Sequence, residues 1–278
     1  MTRKSLSSIS CEFYPPKTEK GDERLIQVAN ELASLNPEFF SVTSGACGAE
    51  RDKTPRIITA LIENGNVPIT PHITCIGSTK EELKTLMEHY KKQGIKHLVA
   101  LRGDLPEEER GRSRDFKYAN ELILFIKENF GDHFHITVGA YPEIHPESKT
   151  AQQDLENFKL KIEAGADNAM TQFFFDADTY LRFIDRCHTA GIHIPITPGI
   201  VPLGNWQQIL GFSKKCGAHF PPWLIEKFES FDDNEASQQY GLEMTTILCK
   251  KLLEAGAPGL HFYSLNHADL ILNICKHL

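Results

Sequence analysis

The sequence predicts an α/β chain folded as a (β/α)8 TIM barrel, and three observations carry that prediction. Eight β-prone runs alternate with helical patterns along the 278 residues. Seven helical patterns end at a glycine: Gly65, Gly94, Gly131, Gly165, Gly191, Gly217 and Gly256, where a left-handed cap carries no Cβ penalty. The alternative, an open doubly wound sheet, lacks its usual G-x-G-x-x-G fingerprint, and Walker A is absent too.

The strand runs are, in order, ISCEFY, FFSVTSG, VPITPHITCIG, HLVALRGD, HITVGAYPE, NAMTQFFFD, IPITPGIVP and GLHFYSLN. Each is rich in β-branched or aromatic residues and bounded by turn formers. Between them lie amphipathic helices such as TKEELKTLMEHYKKQG, where Leu83, Leu86, Met87 and Tyr90 recur at helical spacing. Ser78 and Glu81 predict a capping box at its start. One glycine is not followed by a strand: after Gly217, AHFPPWLIEKFESF reads as loop and helix.

Composition narrows the function classes. Thirty basic against 37 acidic residues leave a net charge of −7, with no basic block for nucleic acid. Seven scattered cysteines without C-x-x-C spacing read as reduced thiols in a cytoplasmic protein rather than a disulfide frame or zinc site. The N-terminus has no apolar signal region and no window approaches a membrane span.

Barrel enzymes assemble their sites at the C-terminal ends of the strands. Those ends offer Glu12; Thr43 and Ser44; His72 and Thr74; Arg102 and Asp104; Tyr141, Glu143 and His145; Gln172 and Asp176; and Tyr263 and Asn266. No strand carries a lysine, which counts against Schiff-base chemistry. The set holds carboxylates, amides and hydroxyls without a nucleophile–base pair, a composition suited to proton transfer around a bound cofactor. Glu12 reads equally as a barrel-edge ion pair, and His72 as a structural histidine. A metal-dependent hydrolase or lyase built on His72, His145, Glu143 and Asp104 stays open as a second reading, and a non-catalytic ligand-binding barrel as a third. QFFFD reads as core, and the Glu107–Arg110 run and DDNEASQQ as solvated edges.

Ten segments, in order along the chain, carry a family resemblance: EFYPPK, SVTSGA, ERDKT, PHITC, ALRGDLP, AYPEIHPE, AGADNAMTQFFFD, YLRFIDRC, PITPGIVP and HFYSLN. The chain resembles the methylenetetrahydrofolate reductases of bacterial type. That resemblance implies one catalytic barrel over residues 1–278 without a regulatory domain, and so no inhibition by S-adenosylmethionine. It implies FAD as cofactor, NADH or NADPH as reductant, and 5,10-methylenetetrahydrofolate as substrate. The product would be 5-methyltetrahydrofolate for methionine synthesis, and the relatives imply a homo-oligomer.

By the same resemblance, FAD contacts fall on Thr43, His72, Arg102, Gly103, Asp104, Tyr118, Tyr141, His145, Asp154, Asn157 and Lys161. Ala166 would support the helix that carries the last three. Glu12 becomes the general acid that opens the folate ring, a carboxyl kept protonated by burial, and Asp104 tunes the flavin and the cationic folate. Gln172, Trp206, Tyr263 and His267 complete the substrate site; Trp206 or Tyr263 would stack alternately on nicotinamide and folate. His267 stands where the family usually has arginine, which implies a weaker, pH-dependent contact with the glutamate tail. Tyr14, Lys17 and Ser44 are further departures from the pattern.

Overall fold

The computed structural model describes residues 8–44, 53–103 and 115–278; Asp104 therefore lies outside the described residues. The elements run β1 (Ser8–Phe13), α1 (Glu19–Ala33), β2 (Phe39–Val42), α2 (Lys53–Asn64), β3 (Ile69–Thr74), α3 (Lys80–Lys92), β4 (His97–Leu101) and α4 (Ala119–Phe130). They continue as β5 (His135–Ala140), α5 (Ala151–Glu163), β6 (Asn168–Thr171), α6 (Ala177–Thr189), β7 (Ile196–Thr197), β8 (Gly199–Ile200), α7 (Trp206–Cys216), α8 (Pro222–Glu229), α9 (Asn234–Glu254), β9 (Gly259–Tyr263) and α10 (Asp269–Lys276).

Every strand pairing is parallel, in the order β7-β6-β5-β4-β3-β2-β1-β9-β8. The ring is an eight-stranded TIM barrel, because β7 and β8 are one strand interrupted at Pro198: β7 pairs with β6, and β8 with β9. IPITPGIVP is thus two short pieces rather than one run. Proline brings no N–H to the ladder, and side chains bridge the gap. The Tyr263 hydroxyl donates to the Thr171 carbonyl at 2.7 Å, and the Gly199 N–H donates to Thr171 Oγ1 at 2.9 Å. A Cβ on Gly199 would lie 2.1 Å from the Thr171 carbonyl oxygen, so only glycine fits there.

Alternation along the strands sends aliphatic and aromatic side chains outward to the helices. Ile9, Cys11 and Phe13 of β1 and Leu260 and Phe262 of β9 join one core cluster with Leu25, Leu32, Ile271 and Ile274. The opposite face receives Ser10, Ser41, Thr70, His72, Thr137 and His261, all buried. A polar lumen is costly unless its groups find partners, and it is where chemistry can be placed.

A second cluster joins Phe173, Phe175, Leu203, Phe220, Leu224 and Phe228, built from the β6 and β8 ends with α7 and α8. The loop-and-helix segment after Gly217 folds as α8, with Pro222 in its first turn. Six of the seven predicted cap glycines adopt positive φ, and Gly65 does not. The α3 capping box is one residue later than predicted: Thr79 Oγ1 accepts from the Glu82 N–H, and Glu82 accepts from the Thr79 N–H. Leu83, Met87 and Tyr90 are buried as the periodicity requires. Among the described residues no helix is long and apolar enough to cross a membrane.

Candidate active site

Glu12 stands at the C-terminal end of β1, its side chain 16% exposed, between two imidazoles. His72 Nε2 of β3 lies 3.3 Å from the carboxylate, and His261 Nε2 of β9 lies 3.7 Å away. The β1–β9 register places Ser10 beside His261 and Glu12 beside Tyr263, and Ser10 Oγ meets His261 Nδ1 at 2.7 Å. Ser10, His261, Glu12 and His72 therefore form one buried polar chain across the lumen. Neither Nε2 has an aligned hydrogen-bond partner, so the contacts to Glu12 are electrostatic rather than directional.

This environment corrects the expectation of a protonated Glu12. Burial pushes the carboxyl up, but the charge of His72 and the two imidazole contacts pull it further down, to about 2. These contacts keep the carboxyl ionised at neutral pH.

Tyr263 stands beside Glu12 in the β1–β9 register. Its hydroxyl is committed to Thr171, its ring packs edge-on against His261 at 5.4 Å and Phe173 at 5.9 Å, and burial, then the Glu12 charge, pushes its phenol well above the ordinary value. Trp206, at the start of α7, is half-buried and lies flat on Phe228, with centroids 5.3 Å apart and planes 8° apart.

A second group gathers cations beyond β4 and β5. Arg102 Nη1 and Nη2 donate to the two Glu147 oxygens at 2.5 and 2.7 Å. Lys161, one helical face along α5 from Asp154, donates to the Gly139 carbonyl at 2.5 Å. Burial pushes the Lys161 amine down to about 8, against the pull of Asp154. Asp154 also accepts the His145 N–H at 3.1 Å and the Ser148 hydroxyl at 2.9 Å. His145 Nδ1 accepts the Glu147 N–H at 3.1 Å, and its ring meets Tyr141 edge-on at 4.6 Å. Burial first of all holds this imidazole below its ordinary value. Gly103 has φ +85°, and a Cβ there would sit 3.0 Å from Thr74 Cβ.

The remaining predicted residues spread around the rim. Thr43 follows β2 and donates its N–H to the Phe13 carbonyl at 2.9 Å. Gln172 follows β6, with its Oε1 accepting the Phe173 N–H at 3.0 Å. Tyr118 begins α4 and is half-exposed; Asn157 is exposed on α5. Ala166 is buried behind that helix. His267 is exposed and lines an outer groove of about 480 Å³ with Lys20, Arg24 and Gln27 of α1, apart from the Glu12 array. Among the described residues no group of three or more His, Cys, Asp or Glu side chains is placed to hold a metal.

Sequence reasoning missed His261, Ser10 and Glu147. The first two carried a signal: polar residues two apart on the first and last strands, Ser10 with Glu12 and His261 with Tyr263, share the lumen face. Reading only the strand ends passed over the layer beneath.

The model of the family described as methylenetetrahydrofolate reductase matches residues 1–278. The chain belongs to the methylenetetrahydrofolate reductase family. It is 43% identical over 272 residues to the 5,10-methylenetetrahydrofolate reductase of Escherichia coli (strain K12), covering 98% of this chain and 90% of the relative. The Pectobacterium carotovorum reductase is 44% identical over the same shares. Methylenetetrahydrofolate reductase (NADH) 1 of Arabidopsis thaliana is 36% identical, covering all of this chain and 49% of the relative. Such likeness makes this methylenetetrahydrofolate reductase family member an oxidoreductase acting on the folate one-carbon unit. Among solved structures, an uncharacterized protein from Clostridium thermocellum that binds two copies of 5-methyl-5,6,7,8-tetrahydrofolic acid shares the barrel. Its TM-score is 0.69 at 17% identity, covering 98% of this chain and 94% of that one.

Proposed function

We propose that this barrel reduces 5,10-methylenetetrahydrofolate to 5-methyltetrahydrofolate with NADH or NADPH, using bound FAD, and so supplies the methyl group for methionine synthesis. The observation that carries the reading is the polar array of Ser10, His261, Glu12 and His72 in the barrel mouth, combined with the family membership. The same reading takes residues 1–278 as one catalytic unit, in a cytoplasmic homo-oligomer.

The residues present fit a flavin dinucleotide. Lys161 is a cation whose amine is pushed down to about 8, a state that a phosphate would relieve. Arg102 already holds a carboxylate in the bidentate geometry a pyrophosphate would take. Gly103 lets backbone approach closely where a side chain would collide with Thr74. Thr43, His72, Tyr118, Tyr141, His145, Asp154 and Asn157 complete the proposed contacts, with Asp104 as a further one outside the described residues. When bound, the flavin supplies hydride transfer from the nicotinamide to the one-carbon unit.

The chain's own residues handle the proton. Ring opening of the substrate needs a proton on the departing nitrogen, and Glu12 is the carboxyl at the mouth. It begins ionised, so the proton reaches it from His72 or His261; His261 in turn is backed by Ser10. Exclusion of water from the mouth would favour the neutral acid and so convert the carboxylate of Glu12 into the donor. Gln172 offers both donor and acceptor to the pterin edge, Tyr263 walls the pocket, and Trp206 leaves Phe228 to stack on either substrate.

The test is spectroscopic. The purified protein is expected to be yellow, bleached anaerobically by NADH or NADPH, and re-coloured by methylenetetrahydrofolate with release of 5-methyltetrahydrofolate. Colourless protein that takes up no FAD, or reduced flavin that methylenetetrahydrofolate does not reoxidise, would refute the reading. Titration with each nicotinamide separately identifies the reductant.

A further inference from the structure

Where β9 ends, two consecutive residues adopt the left-handed region: Leu265 at φ 50° and Asn266 at φ 59°. Asparagine visits that region readily, whereas leucine does so only where its surroundings hold it. Its surroundings are specific. Ser264 donates both its N–H, at 3.2 Å, and its hydroxyl, at 2.5 Å, to the Glu12 carbonyl. The Ser264 hydroxyl also accepts the Asn266 N–H at 3.1 Å, and the Ser264 carbonyl accepts the His267 N–H at 2.9 Å. Asn266 then reads Tyr14 as a strand would. Its Oδ1 accepts the Tyr14 N–H at 3.1 Å, and its Nδ2 donates to the Tyr14 carbonyl at 2.9 Å.

The regular β1–β9 ladder stops at Glu12 opposite Tyr263. Beyond it, the pairing continues through one backbone bond, from the Ser264 N–H, and through the side chains of Ser264 and Asn266. Glu12 needs such support, because neither His72 Nε2 nor His261 Nε2 makes an aligned hydrogen bond to it. Its carboxylate is therefore placed from its backbone, one residue before β1 ends at Phe13 and three before Pro15.

We infer that Ser264 and Asn266 are positioning residues of the reaction, a clamp that fixes Glu12 between His72 and His261 and holds the half-exposed Tyr14 at the mouth. The inference rests on the folate-reducing function proposed above. It separates two effects that a scaffold role would join. Loosening the clamp lets Glu12 retreat from His72 of β3 and from His261 and Tyr263 of β9, the titratable groups that face it. The proton-dependent folate half-reaction then suffers, and reduction of the flavin does not.

Four variants test this. Asn266→Gly accepts positive φ and removes the carboxamide; Asn266→Asp keeps the acceptor for the Tyr14 N–H and cannot donate to its carbonyl. Ser264→Ala removes the hydroxyl, and Ser264→Thr restores it. Expected are about tenfold slower flavin reoxidation by methylenetetrahydrofolate in N266G and S264A, with a displaced pH profile, and an intermediate loss in N266D. Flavin reduction by nicotinamide should stay within about twofold of wild type, and S264T should recover most of the folate rate. Equal loss in both half-reactions, an undisturbed folate rate and pH profile, or S264T as impaired as S264A would overturn the assignment. Should wild-type flavin not be reoxidised by methylenetetrahydrofolate, the proposed function fails instead. The clamp itself is then read from amide exchange. Faster exchange at Tyr14 in N266G supports it, and unchanged exchange refutes it.

Discussion

Replacing Glu12 by glutamine keeps the side chain's shape and removes its charge, so it isolates the attraction between the carboxylate and its two imidazoles. Against the upward push of burial, those imidazoles carry the carboxyl from 4.5 to about 2. At about 1.4 kcal/mol for each tenfold in the proton equilibrium, the displacement corresponds to roughly 3 kcal/mol of stability. A side chain only 16% exposed is little screened by solvent. Because the folded value is the lower one, the contribution is fully present above the unfolded carboxyl's value near 4.5 and is lost as pH falls towards 2. Urea unfolding of wild type and E12Q in steps from pH 6 to pH 3 measures it directly. The stability gap is expected near 3 kcal/mol from pH 6 to about pH 5, narrowing to about 1–1.5 kcal/mol at pH 3. A gap that is absent at pH 6, or that widens towards pH 3, would refute the electrostatic account of Glu12. In the same variant, flavin binding and its reduction by nicotinamide should survive while most folate turnover is lost.

Other expectations follow from neighbouring contacts. Glu147→Gln takes one carboxylate, 60% exposed, off Arg102, so flavin titration should show binding tighter by up to about fivefold, as an exposed ion pair of ~0.2–1 kcal/mol implies; weaker binding would show that Glu147 helps rather than competes. Lys161→Met should make the flavin-free barrel more stable by about 1–3 kcal/mol in urea at pH 7 and abolish flavin retention. The amine's folded value of about 8 lies below its ordinary 10.5, so the cost that methionine removes is full below pH 8 and vanishes as pH rises through that interval. Trp206→Ala should weaken nicotinamide and folate use together, with unchanged steady-state kinetics as the refuting result. Phe228→Leu, in a Trp223→Phe background that leaves Trp206 as the fluorophore, should shift emission to the red as the indole loses its stacking partner.

The barrel was legible because its determinants are local. Glycine-terminated helices and β-branched runs announce themselves within about a dozen residues. The break at Pro198 followed from the same rule that makes proline a poor ladder partner, although IPITPGIVP read as a single run. The site was legible only in part. Glu12, His72 and Arg102 stand out by residue type and strand-end position, whereas Asp154 and Lys161 come only from the family resemblance. His261 and Ser10 do not stand out, because their partnership with Glu12 depends on β1 closing against β9, a pairing of Ser10 with a residue 251 positions away. The ionisation of Glu12 was misread for that reason: burial alone predicts a raised value, and the opposing imidazoles enter only once the barrel is closed. The bridge from the Tyr263 hydroxyl to Thr171, 92 positions away, is hidden from the sequence for the same reason.

That bridge bears on how the cylinder yields to a ligand. Around most of its circumference, sliding one strand against the next means breaking a backbone ladder. Between β6 and the chain beyond Pro198, the join consists of a phenol on a carbonyl and an amide on a threonine hydroxyl, contacts that tilt without being severed. Beside Gln172 the wall is thus joined by side chains rather than by a ladder, and the phenol that spans it belongs to the strand carrying His261. A ligand wedged against Gln172 would press, through one tyrosine, on the histidine that faces Glu12. In this way the seam would turn occupancy of one side of the barrel into a proton's position on the other.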